Sequence, residues 1–280
     1  MSMALSPDGT MVVTGSIDGR MRLWNIKEGI LVGDPWEGHD DTVRCIDWHP
    51  NAQEVASGSQ DSTIRRWNPN TGRQIARAIE AGRGWLYSVK YSPQGDKFAS
   101  SASDGMIRVW SKGGELLVEI KANDGLPWVE SLCWNKDGSS IFSGSGDRTI
   151  RNWRSIDGEE LFVLRGHTDT VKSLCLSLDG CHLISASEDC SIRIWDLKTN
   201  KPVGEPLLHD DDLFALSMSP DGQYIASGGI DNKIYLWNLE SAIKQRDSQV
   251  CLHVYLTFVI PSNISFRVYM MAMQHHLMRS

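Results

Sequence analysis

Six times in this chain an aspartate stands six residues before a tryptophan: Asp18 and Trp24, Asp61 and Trp67, Asp104 and Trp110, Asp147 and Trp153, Asp189 and Trp195, Asp231 and Trp237. The successive tryptophans lie 43, 43, 43, 42 and 42 residues apart. A constant period of that size means one supersecondary unit copied along the chain, and it restricts the fold more than any other feature.

The second unit shows what is copied. "TVRCIDW" reads as a strand, "HPNAQ" as a turn, "EVASGS" as a second strand, "QDS" as a tight turn and "TIRRW" as a third strand. After "NPNTG" comes a fourth candidate, "RQIARAI". Short β-favouring runs separated by Asn, Asp, Pro, Ser and Gly are the expected grammar of antiparallel hairpins. In "SPDG", at residues 6–9 and 219–222, proline presets one turn angle and glycine accepts a positive φ. A four-stranded sheet with two apolar faces has to stack on copies of itself. With 41% hydrophobic residues in 280, the chain has the apolar material to do so.

These residues resemble the WD-repeat family, whose fold is an all-β propeller of four-stranded antiparallel blades. The resemblance covers residues 3–239, with units at about 3–38, 39–81, 82–124, 125–166, 167–208 and 209–239, and leaves an atypical tail at 240–280. Only Trp195-Asp196 is a true WD dipeptide. The resemblance implies a buried tetrad in each complete blade, linking Trp, a Ser or Thr, the turn Asp and a His from the loop leading into the blade. The matching sets are His39, Ser57, Asp61 and Trp67; His167, Ser185, Asp189 and Trp195; and His209, Ser227, Asp231 and Trp237. The chemistry is consistent, because a buried indole N–H needs an acceptor and imidazole can pass the bond from hydroxyl to carboxylate.

Units three and four keep Ser100, Asp104, Trp110 and Ser143, Asp147, Trp153, but Gly82 and Gly125 stand where the histidine belongs. Their leading loops are expected to be held less rigidly. Unit one keeps Thr14, Asp18 and Trp24 and begins in mid-strand. Part of the apolar stretch 250–260 is expected to supply the outer strand of the sixth blade; a degenerate seventh blade and a chain end unrelated to the propeller are the alternatives.

Other chemistry finds little support. A net charge of −7 disfavours a broad grip on nucleic acid. The six cysteines form no CxxC pair and the start carries no secretory signal, so an intracellular setting, cytoplasmic or nuclear, is expected. No run of apolar residues is long enough to span a bilayer as a helix. No zinc-like ligand set, nucleophilic constellation or phosphate loop is legible, which predicts no cofactor, metal or small-molecule substrate and no enzyme activity. Arg22, Arg65, Arg108, Arg151 and Arg193 all lie two residues before a tetrad Trp, and are expected to pack and hydrogen-bond between blades.

The family resemblance implies a non-enzymatic protein-interaction scaffold. The alternative is a substrate receptor of a cullin-type ubiquitin ligase, because Asp189, Trp195, Asp196 and Lys198 resemble the box some members dock with. The partner-binding face is expected where the tetrad loops lie. Trp85 and Trp128 occupy matching positions there on neighbouring units, Arg83 stands beside them, and Asp41, Asp211 and Asp212 mark acidic stretches of the same rim.

Overall fold

The computed structural model describes residues 2–122, 128–244 and the backbone of 251–252. It is an all-β propeller of six blades, each a meander in which consecutive strands pair antiparallel. Blade one runs through Ser2–Leu5, Met11–Gly15, Met21–Asn25 and Ile30–Trp36, and blade four through Val129–Trp134, Ser140–Ser145, Thr149–Arg154 and Glu160–Arg165. Blades three and five follow the same plan. In blade two the outer strand is split into Arg73–Gln74 and Ile79–Glu80, both paired with Thr63–Asn68. In blade six, Cys251–Leu252 pairs with Ile234–Asn238, Trp237 opposite Cys251. The rest of the 250–260 stretch lies outside the described residues.

Among the described residues of 2–238 no helix interrupts the strands; a short one, Leu239–Lys244, follows the third strand of blade six. The first strands of all six blades surround one axial cavity of ≈ 100 Å³, lined from Met3 in blade one to Ser217 in blade six. The core is distributed rather than central. Five hydrophobic clusters fill the five gaps between consecutive blades, and among the described residues none joins blade six to blade one. Trp67, Trp110, Trp153, Trp195 and Trp237 belong to these clusters: Trp67 is 1% exposed and stacks on Trp36 across the first gap, ring centroids 5.9 Å apart. Each blade therefore buries its apolar faces against a neighbour, as a repeat of this size must.

Two local irregularities recur and shape the end of the ring where the turn aspartates lie. The residue after the turn aspartate is left-handed in every blade, with φ of 74° at Gly19, 68° at Ser62, 78° at Gly105, 70° at Arg148, 61° at Cys190 and 57° at Asn232. Four of those six residues carry a side chain despite the conformation, so the turn is held by its surroundings and not by glycine alone. The second irregularity is a register shift between the first and second strands of blades two to six, falling between Val43 and Cys45, Leu86 and Ser88, Val129 and Ser131, Val171 and Ser173, and Leu213 and Ala215. A bulge re-aims the residue that it contains. Here those residues are Arg44, Tyr87, Glu130, Lys172 and Phe214.

Candidate functional site: the tetrad end of the ring

The turn aspartates and the leading loops meet at one end of the propeller, and the tetrads build that end. In blade two the Trp67 indole donates to Ser57 Oγ at 2.8 Å, Ser57 meets His39 Nε2 at 2.7 Å, and His39 Nδ1 meets Asp61 Oδ2 at 2.7 Å. Asp61 also accepts from the backbone N–H groups of Asp40 and Thr63, so one carboxylate fixes both loops. Blade five repeats the arrangement with Trp195, Ser185, His167 and Asp189 at 2.9, 2.7 and 2.8 Å. Burial raises the pKa of Asp61 and Asp189, but hydrogen bonds from the histidines and neighbouring groups outweigh it and leave both carboxyls well below the usual range.

Blade six departs from this pattern. Trp237 donates to Ser227 at 2.8 Å and Ser227 meets His209 Nε2 at 2.7 Å, but His209 Nδ1 is buried with no partner among the described residues. The Tyr235 ring lies 4.0 Å from His209, and its hydroxyl donates to Asp231 at 3.0 Å and approaches Asp210 at 3.2 Å. The expected His209–Asp231 link is thus replaced by a Tyr235–Asp231 link. Tyr235 stands two residues before Trp237, where the other blades carry arginine.

That position explains the blades without histidine. Arg22 pairs with Asp18 at 2.8 Å, Arg108 with Asp104 at 2.8 Å and Arg151 with Asp147 at 2.5 Å. Arg108 also donates to the Ala81 carbonyl at 2.7 Å and to Glu119 at 2.6 Å. Two expectations need correction. Arg22 and Arg151 bond inside their own blades, because their side chains run along the strand face towards the turn; Arg108 does the same and also bonds between blades as expected, through Ala81 at the end of the preceding unit. In blade three the leading loop is tied despite the missing histidine, since Arg108 holds Ala81. Where histidine takes the aspartate, Arg65 turns to Gln74 at 2.7 Å instead, and among the described residues the Nε atoms of Arg65 and Arg193 are buried without a partner. The matching position in blade four, Gly125, lies outside the described residues.

On this frame the aromatic residues are displayed. Trp85 is 49% exposed and Trp128 43%, so neither indole is folded away against its blade. Their backbones are pinned: Trp85 N–H donates to Ser103 Oγ at 2.9 Å and the Trp128 carbonyl accepts from Gly146 N–H at 2.9 Å. Arg83 is exposed beside Trp85.

The bulged residues form a second layer that spacing alone did not reveal. The Arg44 guanidinium lies 5.7 Å from the Trp85 ring and 5.1 Å from the Tyr87 ring. Lys172 bridges Glu130 and Glu188 at 3.1 Å each and sits 6.0 Å from Phe214. Burial pulls the Lys172 pKa down, but the two glutamates outweigh it and the ammonium is held above its usual value. The one signal available in the sequence was variability: R, Y, E, K and F follow an invariably apolar position in units two to six.

The acidic rim is partly spoken for. Asp41 and Asp211 accept from the next residue's N–H at 2.6 and 2.9 Å, and Asp210 pairs with Lys233. Burial and then Asp211 raise the pKa of Asp212, in keeping with a concentration of negative charge there. Asp196, central to the ligase-box reading, accepts from the N–H groups of Lys198 and Thr199 at 2.8 and 2.9 Å and so caps its own turn. No group of metal-ligating side chains occurs among the described residues. No described helix is long and apolar enough to cross a membrane.

Comparison with known proteins agrees with the architecture. The "Ribosome biogenesis protein ERB1" of Debaryomyces hansenii is 35% identical over 57 residues, covering 18% of this chain and 7% of that protein. Its namesake in Saccharomyces cerevisiae is 37% identical over 57 residues, with the same coverage. This chain thus spans only a small fraction of the relatives that it matches. The pattern "WD domain, G-beta repeat" matches residues 1–25, 32–68, 74–111, 114–154, 158–196 and 200–238. Most of these matches begin on or just before the outer strand of one blade and end after the third strand of the next, so the sequence repeat is staggered against the structural blade. With six matches over most of its length, the chain belongs to the WD domain, G-beta repeat family.

Proposed function

We propose that this protein is a non-enzymatic scaffold that holds a partner protein against the tetrad end of its ring. The observation that carries this reading is the pair of half-exposed indoles, Trp85 and Trp128, on pinned backbones, with Arg44 stacked between Trp85 and Tyr87. Rigid aromatic and arginine groups lose little entropy on contact and are the commonest anchors of protein interfaces. Asp41, Asp211 and Asp212 add negative charge along the same rim, which favours a partner presenting basic groups around an apolar or aromatic segment. The 57-residue likeness to ERB1 is little longer than one 42- or 43-residue repeat. It supports the repeat and selects no assembly. The test is recovery of partners by the wild type and by a Trp85→Ala/Trp128→Ala variant, with melting temperature measured in parallel. Selective loss of a partner at unchanged melting temperature supports the reading. Unchanged recovery, or a loss matched by unfolding, overturns it.

A further inference from the structure

At the opposite end of the ring, between blades four and five, a groove of ≈ 440 Å³ opens among Phe142, Phe162 and Leu197, with Asn152 at its floor and Asp137 and Lys136 at its mouth. The other four gaps between blades consecutive in the chain are closed by its own side chains. Met11 and Val32 pack into the first. In the second, the Arg66 guanidinium crosses to the carbonyls of Lys112 and Gly113. In the third, Lys97 reaches Ser155 at 3.0 Å. The fifth is covered by Leu239, Ala242 and Ile243 of the short helix.

Blade four lacks the side chains that would do this. The residue before the tetrad Trp is Leu23, Arg66, Val109, Ile194 or Leu236 elsewhere, but Asn152 here. The residue that precedes the cross-strand partner of that Trp is Met11, Glu54, Lys97, His182 or Tyr224 elsewhere, but Ser140 here. Ser140 therefore leaves a space that longer side chains occupy in the neighbours, and Asn152 lines that space with a polar amide where they carry Leu, Val, Ile or Arg. Asn152 is 2% exposed; its Nδ2 donates to Ser140 at 3.1 Å, and among the described residues its Oδ1 has no donor.

We propose that this groove is a second docking site, which takes an arginine side chain from an extended segment of a partner protein. The Asn152 amide oxygen faces the groove, and an occupant that displaces water from it has to offer a hydrogen-bond donor in return, which an apolar side chain cannot. The Phe142 and Phe162 rings, 6.2 Å apart and tilted by 59°, offer apolar walls for the aliphatic stem and π-faces for the guanidinium. Asp137, whose hydrogen bonds with Ser139 lower its pKa, supplies a carboxylate at the mouth. The second gap shows the same principle within the chain, where Arg66 lies 7% exposed between blades and donates to two carbonyls.

The experiment is selection of a phage-displayed random-peptide library on the full chain, counter-selected on Asn152→Leu, which installs the kind of residue found in the other blades. Recovered peptides are expected to share an arginine. Replacing it with norleucine, or binding to Asn152→Leu, should weaken a synthetic peptide about tenfold or more, the scale of a lost buried hydrogen bond. The Trp85→Ala/Trp128→Ala variant should bind the same peptide unchanged. Asn152→Leu is expected to melt no lower than the wild type, which separates loss of binding from loss of fold. Failure to recover any peptide that distinguishes the two chains, or tolerance of norleucine, overturns the proposal.

Discussion

A Cβ placed on Gly82 would lie 2.5 Å from a terminal guanidinium nitrogen of Arg108. The arginine fills the space in which a tetrad histidine would stand, and ties the same loop through the Ala81 carbonyl. Across the ring the turn aspartate always has a side-chain partner, but the partner changes: His39 and His167 in blades two and five, Arg22, Arg108 and Arg151 in blades one, three and four, Tyr235 in blade six. The rule lies in satisfying a partly buried carboxylate, not in a particular residue.

Restoring the family residue at Gly82 should therefore do harm. Gly82 has φ of +113°, unfavourable for any side chain, and histidine there collides with Arg108. Gly82→His is expected to lower stability by about 1–3 kcal/mol, the usual scale of overpacking. Urea denaturation measures it, and a stabilised variant would refute the exchange of partners.

The complete tetrads should be worth more than their surface position suggests. His167→Ala removes the group that joins Ser185 to Asp189 and leaves both in a buried setting. The expected cost is about 1–3 kcal/mol. A change within a few tenths of a kcal/mol, read from the same denaturation curves, would count against the network.

Blade six should make the protein sensitive to mild acid. Burial takes the His209 pKa down to about 4 from 6.5, and the nearby Asp231 and Asp210 carboxylates offset only part of that effect. The unfolded chain then binds this proton before the folded one does. The neutral imidazole contributes stability that is fully present above about pH 6.5 and is lost as pH falls towards 4, by about 3 kcal/mol at most. His209→Gln should flatten the stability profile in that window. Asp61 and Asp189 act further down: their lowered pKa values give stability present above the unfolded carboxylate value near pH 4 and lost below it. An unchanged profile between pH 6.5 and 4 in His209→Gln would show that another group titrates there.

Much of this architecture was legible because a repeat multiplies a weak signal. One Asp–Trp interval means little, but six at near-constant period place every turn and every third strand. The tetrads at Trp67 and Trp195 followed from the family resemblance, which could be carried over position by position because each member sits at a fixed strand position. Tyr235 could not be read in the same way, since it matches the arginine position and its effect depends on which way the ring stacks. The bulged Arg44, Tyr87, Glu130, Lys172 and Phe214 escaped notice because strict alternation takes no account of an inserted residue. The groove at Asn152 is defined by side chains that are missing, and only the neighbouring blades show what size they would have had.

The measurement that bears most directly on the proposed scaffold is ¹⁹F NMR of protein labelled with fluorotryptophan, whose 11 tryptophans report separately. Trp→Phe variants assign Trp85, Trp128 and the six tetrad indoles, and the recovered partner is then titrated in. The signals of Trp85 and Trp128 are predicted to shift or broaden, while those of the buried Trp67, Trp110, Trp153 and Trp195 hold their positions. A partner that binds and leaves Trp85 and Trp128 unperturbed would contradict the assignment of this end of the ring as the docking face.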